Sequence, residues 1–208
     1  MYINNTSSLA DKFYGYEQRL TKLIEKDWGL IKAQVSNSDL ETKISVDLYN
    51  QLKKNKELRA IGIPLIEHQL IDEDIKGDPF TKGKIDIVIM PDKYRDPDIY
   101  IAYECKRLNL THKGKWSSLA GKYTAEGLAR YVNAQYAKKL PVGCMLGYVM
   151  DGNIPNAHQS VIKSINKNKK TLKTKSIEKT KYLNRFTSHH SQKGTTNKIR
   201  ITHLLLPI

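Results

Sequence analysis

The sequence predicts an α/β domain. Apolar residues recur every three or four positions through the first quarter of the chain, and the period falls to two after Pro64. A near-continuous apolar run then follows at residues 142–150, beyond a second helical stretch. A chain of 208 residues is also long enough to bury roughly 70% of the surface of its unfolded form.

The elements follow in order. Over residues 9–35, Phe13, Tyr16, Leu20, Leu23, Ile24, Trp28 and Ile31 line one face of an amphipathic helix, either unbroken or interrupted near Gly29. Residues 1–37 are therefore expected as an N-terminal helical segment ahead of a domain spanning residues 38–208. Ser36, Asn37 and Ser38 mark a turn, and Ile44, Leu48, Leu52 and Leu58 mark a second helix. Residues 65–70 read as a strand, 84–90 as a second and 99–106 as a third. The intervening stretch 91–98 is rich in turn residues, so the second and third strands are expected to pair as an antiparallel hairpin. A helix is expected at about 118–139, then a central strand at 142–150 bounded by Pro141 and Gly152. Residues 161–200 are dense in lysine, and are expected as a basic helix and loop or as a partly disordered segment. The alternation and apolar run of residues 198–208 predict a last strand.

Charge points to a partner. Thirty-five lysines and arginines against 21 acidic residues give a formal charge of +14, which suits a polyanion such as nucleic acid or an acidic membrane face. No run approaches the length of a membrane span, and the polar start at residues 1–8 lacks the order of a signal peptide, so a cytoplasmic protein is expected. The two cysteines, Cys105 and Cys144, lie in apolar runs and read as buried free thiols.

The chemistry concentrates in the third strand. Residues i and i+2 of a strand share a face, so Glu104 and Lys106 stand side by side at about 6–7 Å between α-carbons while Cys105 points away. Asp86 on the neighbouring strand brings a second carboxylate across the hairpin. Two carboxylates beside a lysine make a site for a hard divalent cation such as Mg²⁺, with the Cys105 carbonyl as a further oxygen ligand. Asp98 lies about 20 Å along the strand from Glu104 and reads as a turn residue. The plainer reading of Glu104 and Lys106 is an exposed ion pair on a sheet face, worth under ~1 kcal/mol.

Gly83-Lys84-Ile85-Asp86-Ile87-Val88-Ile89 followed by Tyr103-Glu104-Cys105-Lys106-Arg107 resembles the PD-(D/E)XK, restriction-endonuclease-like nuclease superfamily. The resemblance covers residues 39–150, with Ile85 where the family name has proline. It implies a restriction-endonuclease-like mixed sheet flanked by helices, and a Mg²⁺-dependent nuclease, Mn²⁺ being a substitute, with Asp86, Glu104 and Lys106 as the catalytic set. Members of the superfamily often carry one more acidic residue on the helix before the sheet, and Glu41 matches that position. Ser38 to Glu41 also forms a capping-box pattern in which Glu41 only satisfies backbone N–H groups. Glu67 is a rival for the same place.

The resemblance also sets the helix after the third strand beside the site, with Tyr123 and Arg130 as phosphate-facing candidates; a solvated face with a buried tyrosine is the alternative. Gly127 weakens that helix unless something packs closely there. Further candidates for nucleic-acid contact are Arg107, Lys113 and Lys115 around the loop after the third strand, and Lys169, Lys170 and Lys173 in the basic tract. His112, His189, His190 and His203 show no metal-binding spacing, and core or surface roles are expected for them. The expected activity is a DNA endonuclease in restriction, repair or phage defence, with DNA favoured over RNA as partner. The competing expectation is a non-catalytic nucleic-acid-binding or assembly module. A homodimer or a partner subunit stays open.

Overall fold

The apolar stripe of the first helical stretch becomes one helix, α1 (Thr6–Ile31), unbroken at Gly29, with Phe13, Leu20, Ile24 and Trp28 buried. In this computed structural model, residues 6–73, 79–93, 96 and 98–208 are described. Residues 1–5, and 94, 95 and 97 of the expected turn, lie outside the described residues. After a 3-10 turn (Lys32–Gln34), α2 (Glu41–Lys54) buries Ile44, Leu48 and Leu52, and a short α3 (Lys56–Arg59) buries Leu58.

Both helices pack on one face of a seven-stranded mixed sheet. Its strands are β1 (Gly62–Glu73), β2 (Pro79–Pro91), β3 (Ile101–Leu108), β6 (Val142–Val149), β7 (Thr174–Lys179), β8 (Arg185–Ser191) and β9 (Lys198–Pro207), in the spatial order β1-β2-β3-β6-β9-β8-β7. The pairs β3/β6 and β6/β9 are parallel and the others antiparallel. A separate hairpin, β4 (Leu110–His112) with β5 (Lys115–Ser117), follows β3. The central strand β6 is buried along its whole length, which explains its unbroken apolar run.

α1 is integral to this core. Trp28 stacks on Tyr148 of β6 with ring centroids 5.4 Å apart, and its indole N–H donates to the Pro207 carbonyl at 2.7 Å. No helix among the described residues is long and apolar enough to cross a membrane.

The other face carries α6 (Ile154–Lys167) and the segment after β5. The helix expected to reach residue 139 ends at Val132: it comprises α4 (Ala120–Lys122), a π-helical turn (Tyr123–Leu128) and α5 (Ala129–Val132). Residues 161–200 likewise depart from expectation. The expected helix is the end of α6, but beyond a short turn the antiparallel strands β7 and β8 stand where a basic loop or disorder was expected. The inward positions of β8 are Phe186, Ser188 and His190, two of them polar, so hydrophobic alternation gives no strand signal there.

Those polar groups are satisfied by a directed hydrogen-bond chain. His190 Nδ1 lies 2.7 Å from the Leu172 carbonyl, which only accepts, so Nδ1 carries the proton and Nε2 accepts from Ser188 Oγ at 2.7 Å. Ser188 Oγ then accepts from His203 Nε2 at 2.8 Å, and His203 Nδ1 accepts from the Tyr123 hydroxyl at 2.9 Å. Both histidines are therefore neutral, with opposite tautomers. Of the four histidines given core or surface roles, His190 and His203 lie in the core, His112 is exposed in the β4–β5 hairpin, and His189 lies half-buried, 3.2 Å from Glu178.

Candidate active site

The site forms where β2 leaves β3. The two strands pair at Ile89/Ile101, Val88/Ala102 and Ile87/Tyr103, and the ladder stops before Asp86 and Glu104, which would be the next pair. Successive N–H groups of a strand point to alternate edges, so Cys105 and Arg107 share the edge that β2 has abandoned. A buried N–H without an acceptor is costly, and here each is met by an acidic side chain. Asp86 Oδ2 accepts from Cys105 N–H at 2.7 Å, and Glu41 Oε2 accepts from Arg107 N–H at 2.9 Å.

On the sheet face opposite α2, Glu104 and Lys106 stand side by side. Lys106 Nζ lies 2.8 Å from Glu104 Oε1, 2.9 Å from Glu41 Oε1 and 2.8 Å from the Cys105 carbonyl. The second Glu104 oxygen is 3.2 Å from Arg130 Nη1, and Arg130 also donates to the Tyr136 hydroxyl, which in turn donates to the Lys84 carbonyl. Glu104 is wholly buried, so this is not the exposed surface pair of the plainer reading.

Gly127 makes the approach from the π-helical turn feasible. A Cβ there would stand 2.6 Å from Met145 Cε, which would have to move, and 3.4 Å from Glu104 Cγ, an ordinary contact. The close packing that the sequence required of this glycine is thus against the end of the Met145 side chain, with Glu104 and Lys106 in ordinary contact beside it.

The electrostatics follow from burial and crowding. Burial pushes the Glu104 carboxyl up to about 7, helped by the neighbouring Asp86 and opposed by Lys106 and Arg130. Burial also raises Asp86, partly offset by the hydrogen bond from Cys105. For Lys106 burial works against the charge, but Glu104 and Glu41 outweigh it and hold the ammonium above its ordinary pKa.

Several expected residues fall elsewhere. Tyr123 does not face phosphate: it is fully buried and spends its hydroxyl on His203. Glu41 is no helix cap. Leu40 occupies the N-cap of α2, no side chain caps that helix, and the Glu41 carboxylate is directed to β3 instead. Glu67 pairs with Lys84 at 2.8 Å on the surface. Asp98 lies in a turn, its N–H donating to Asp96.

Arg107 projects from β3 and donates to the Asp39 carbonyl at 3.0 Å, beside a groove that it lines with Leu40, His112 and Lys113. Lys113 and Lys115 are exposed on the β4–β5 hairpin, next to the half-exposed Trp116. Lys169, Lys170 and Lys173 are exposed before β7, the far edge of the sheet. That edge is four strands from β3, about 19 Å at a strand spacing of ~4.8 Å, so the structure does not bring them to the site. Arg130 falls at the site, where the resemblance set its helix, whereas the part of Tyr136 had no signal in the sequence, because it depends on the turn after α5 that returns Tyr136 to β2.

The available donors, three carboxylates and the Cys105 carbonyl, are the hard oxygen ligands that Mg²⁺ takes. Among the described residues, however, no group of three or more His, Cys, Asp or Glu side chains is set to hold a metal ion, and the Lys106 ammonium lies among the oxygens of Glu41, Glu104 and Cys105. Comparison with protein-family models, curated proteins and solved structures returns no match to this chain.

Proposed function

We propose that this chain is a metal-dependent phosphodiesterase of the PD-(D/E)XK kind, acting as a Mg²⁺-dependent DNA endonuclease in restriction, repair or phage defence. The observation that carries the reading is the convergence of Asp86, Glu41 and Glu104 on the four residues 104–107 of β3, with Lys106 among them. The order α2, β1, β2, β3, helix, β6, with β3 and β6 parallel, supports a restriction-endonuclease-like core. The net charge of +14 supports a polyanionic substrate.

Asp86, Glu104, the Cys105 carbonyl and Glu41 would hold the metal. When bound, it supplies a water of lowered pKa and positive charge at the scissile phosphate. The Asp86 carboxylate is aimed by its bond from Cys105 N–H, and Glu41 is fixed by Arg107 N–H. Lys106, held above its ordinary pKa, keeps its proton through the neutral range. In that charged form it is a hydrogen-bond donor for a phosphate oxygen or the attacking water. Arg130, with a third of its side chain exposed, is the second cation in reach of that phosphate.

A time course of plasmid and single-stranded cleavage with Mg²⁺, Mn²⁺ or EDTA tests this for wild type, Asp86→Ala and Lys106→Ala. Cleavage should require metal and disappear in both variants; substrates left intact by wild type overturn it. A binding module without turnover is the second reading, favoured by the two Glu104 oxygens already being paired with Lys106 and Arg130. Salt-sensitive DNA binding unaffected by Asp86→Ala, with no cleavage, would establish that reading.

A further inference from the structure

The lysines that the fold keeps away from the candidate site gather on a surface of their own. Seven lysines and one glutamate lie between residues 163 and 179, and carry six of the fourteen net positive charges of the chain. They come from three pieces of structure: the end of α6, the turn at 168–173 and the edge strand β7. Thr174 N–H donates to the Lys169 carbonyl at 3.0 Å and Ser191 N–H to the Lys173 carbonyl at 3.2 Å, which fastens the turn to β7 and β8. Lys169, Lys175 and Lys179 thereby line one groove of about 390 Å³, together with Asn166 of α6 and Ser176 of β7.

All seven lysines are exposed, and none forms an ion pair with a described residue. Glu178, the one acid, is directed to His189 at 3.2 Å. Lysines on an edge strand discourage pairing with another strand, which accounts for Lys175 and Lys179, and the C-terminus of α6 favours Lys167. Neither effect accounts for the other four, three of them in the turn between helix and strand. Like charges held this close without counter-charges repel one another, and a polyanion relieves the repulsion. Two features select which polyanion. No aromatic side chain lines the groove, so unstacked bases find no platform there, and a duplex that shows its backbone and keeps its bases inside fits better than a single strand. No large apolar side chain between residues 163 and 179 is exposed, so this face has nothing to bury in a lipid surface.

We propose that the groove between α6 and β7, with the lysines around it, is a docking surface for the phosphate backbone of duplex DNA, separate from the candidate active site and used without a metal ion. Lys175 and Lys179 stand four residues apart on β7, about 13 Å, which matches the axial rise of about four phosphates along one strand of a duplex. Contacts of this kind hold the backbone and carry no sequence information. Only the choice of DNA over RNA rests on the phosphodiesterase reading; the docking itself does not, because β7 is four strands from Lys106 on β3.

Fluorescence anisotropy of labelled DNA duplexes of about 20 base pairs, in two unrelated sequences, titrated with the full chain in EDTA at about 50 to 200 mM salt, tests it. Wild type should bind both sequences alike, and more weakly as salt rises. The triple variant Lys169→Gln, Lys175→Gln, Lys179→Gln should bind at least about tenfold more weakly, with the slope of log affinity against log salt reduced by about 3. Lys169→Arg, Lys175→Arg, Lys179→Arg, which keeps the charge, should bind as wild type does. Lys12→Gln, Lys32→Gln, Lys54→Gln removes the same charge from the α1 and α2 side, and should change that slope by less than about 1. Absence of wild-type binding, an unchanged groove variant, an equal loss in the α1 and α2 variant, tighter binding of a single strand or of duplex RNA, or capture by phosphatidylserine vesicles in place of the duplex overturns it. Binding that follows the groove lysines without any cleavage in Mg²⁺ keeps this surface and removes the nuclease reading. Cleavage by a groove variant that binds as wild type does the reverse.

Discussion

Glu41, at the start of α2, accepts the backbone N–H of Arg107 at 2.9 Å across 66 residues of sequence. Its other carboxylate oxygen takes the Lys106 ammonium at 2.9 Å. One side chain thus holds both the backbone and the cation of the candidate site, and fixes α2 against β3.

Glu41→Ala should therefore cost about 1–3 kcal/mol in urea denaturation, because the Arg107 N–H loses its acceptor in a partly buried place. Glu41→Gln keeps an amide oxygen for that N–H and should retain most of the stability. If the proposed activity is correct, both variants lose cleavage, which separates the charge from the scaffold role.

The Glu104 carboxyl, raised to about 7 from an ordinary value of 4.5, makes stability fall as pH rises. Its contribution is complete below the ordinary value, where both folded and unfolded states are protonated, and is lost as pH rises through about 7, where only the folded state resists ionisation. Glu104→Gln should therefore gain on wild type by about 3 kcal/mol between pH 4.5 and pH 8, read from denaturation midpoints across that range. A difference that stays constant with pH would show that Glu104 does not titrate there.

His190 and His203 act in the opposite sense. Burial lowers His190 from 6.5 to about 4, and lowers His203 well below its ordinary value. Their contribution is present above 6.5 and is lost as pH falls toward the folded values, since the unfolded chain takes up the protons first. Melting temperature should drop below about pH 6. Nitrogen chemical shifts at pH 7 should show a proton on Nδ1 of His190 and on Nε2 of His203. Ser188→Ala, which strands the His203 N–H, should cost about 1–3 kcal/mol.

Gly143 of β6 is required by Tyr131. A Cβ there would stand 2.5 Å from Tyr131 Cδ1 and closer still to Cε1. The ring cannot retreat, because its hydroxyl is tethered to the carbonyls of Ala102 at 3.0 Å and Cys144 at 2.8 Å. Gly143→Ala should destabilise by about 1–3 kcal/mol or more, measured by chemical denaturation.

The positions of Glu104 and Lys106 on one face, the antiparallel pairing of the Asp86 strand and the burial of β6 were all legible in the sequence. Each depends on the two-residue period of a strand or on an unbroken apolar run, both local properties. β7 and β8 were not legible, since β7 turns lysines outward and β8 turns serine and histidine inward, and only the hydrogen-bond chain to Tyr123 makes those residues fit a core.

By itself the sequence determined a mixed α/β fold, a strong positive charge and an acid-base pair on one strand. The tertiary structure decided how the distant groups named from the sequence meet that pair: Glu41 through the Lys106 ammonium and the Arg107 N–H, Arg130 through the second Glu104 oxygen, and Asp86 through the Cys105 N–H. Strand geometry acts over two residues, whereas these contacts depend on where β2 parts from β3 and how α2 and the π-helical turn dock on the sheet. Those placements follow from the packing of the whole core, to which no short stretch of sequence holds the answer.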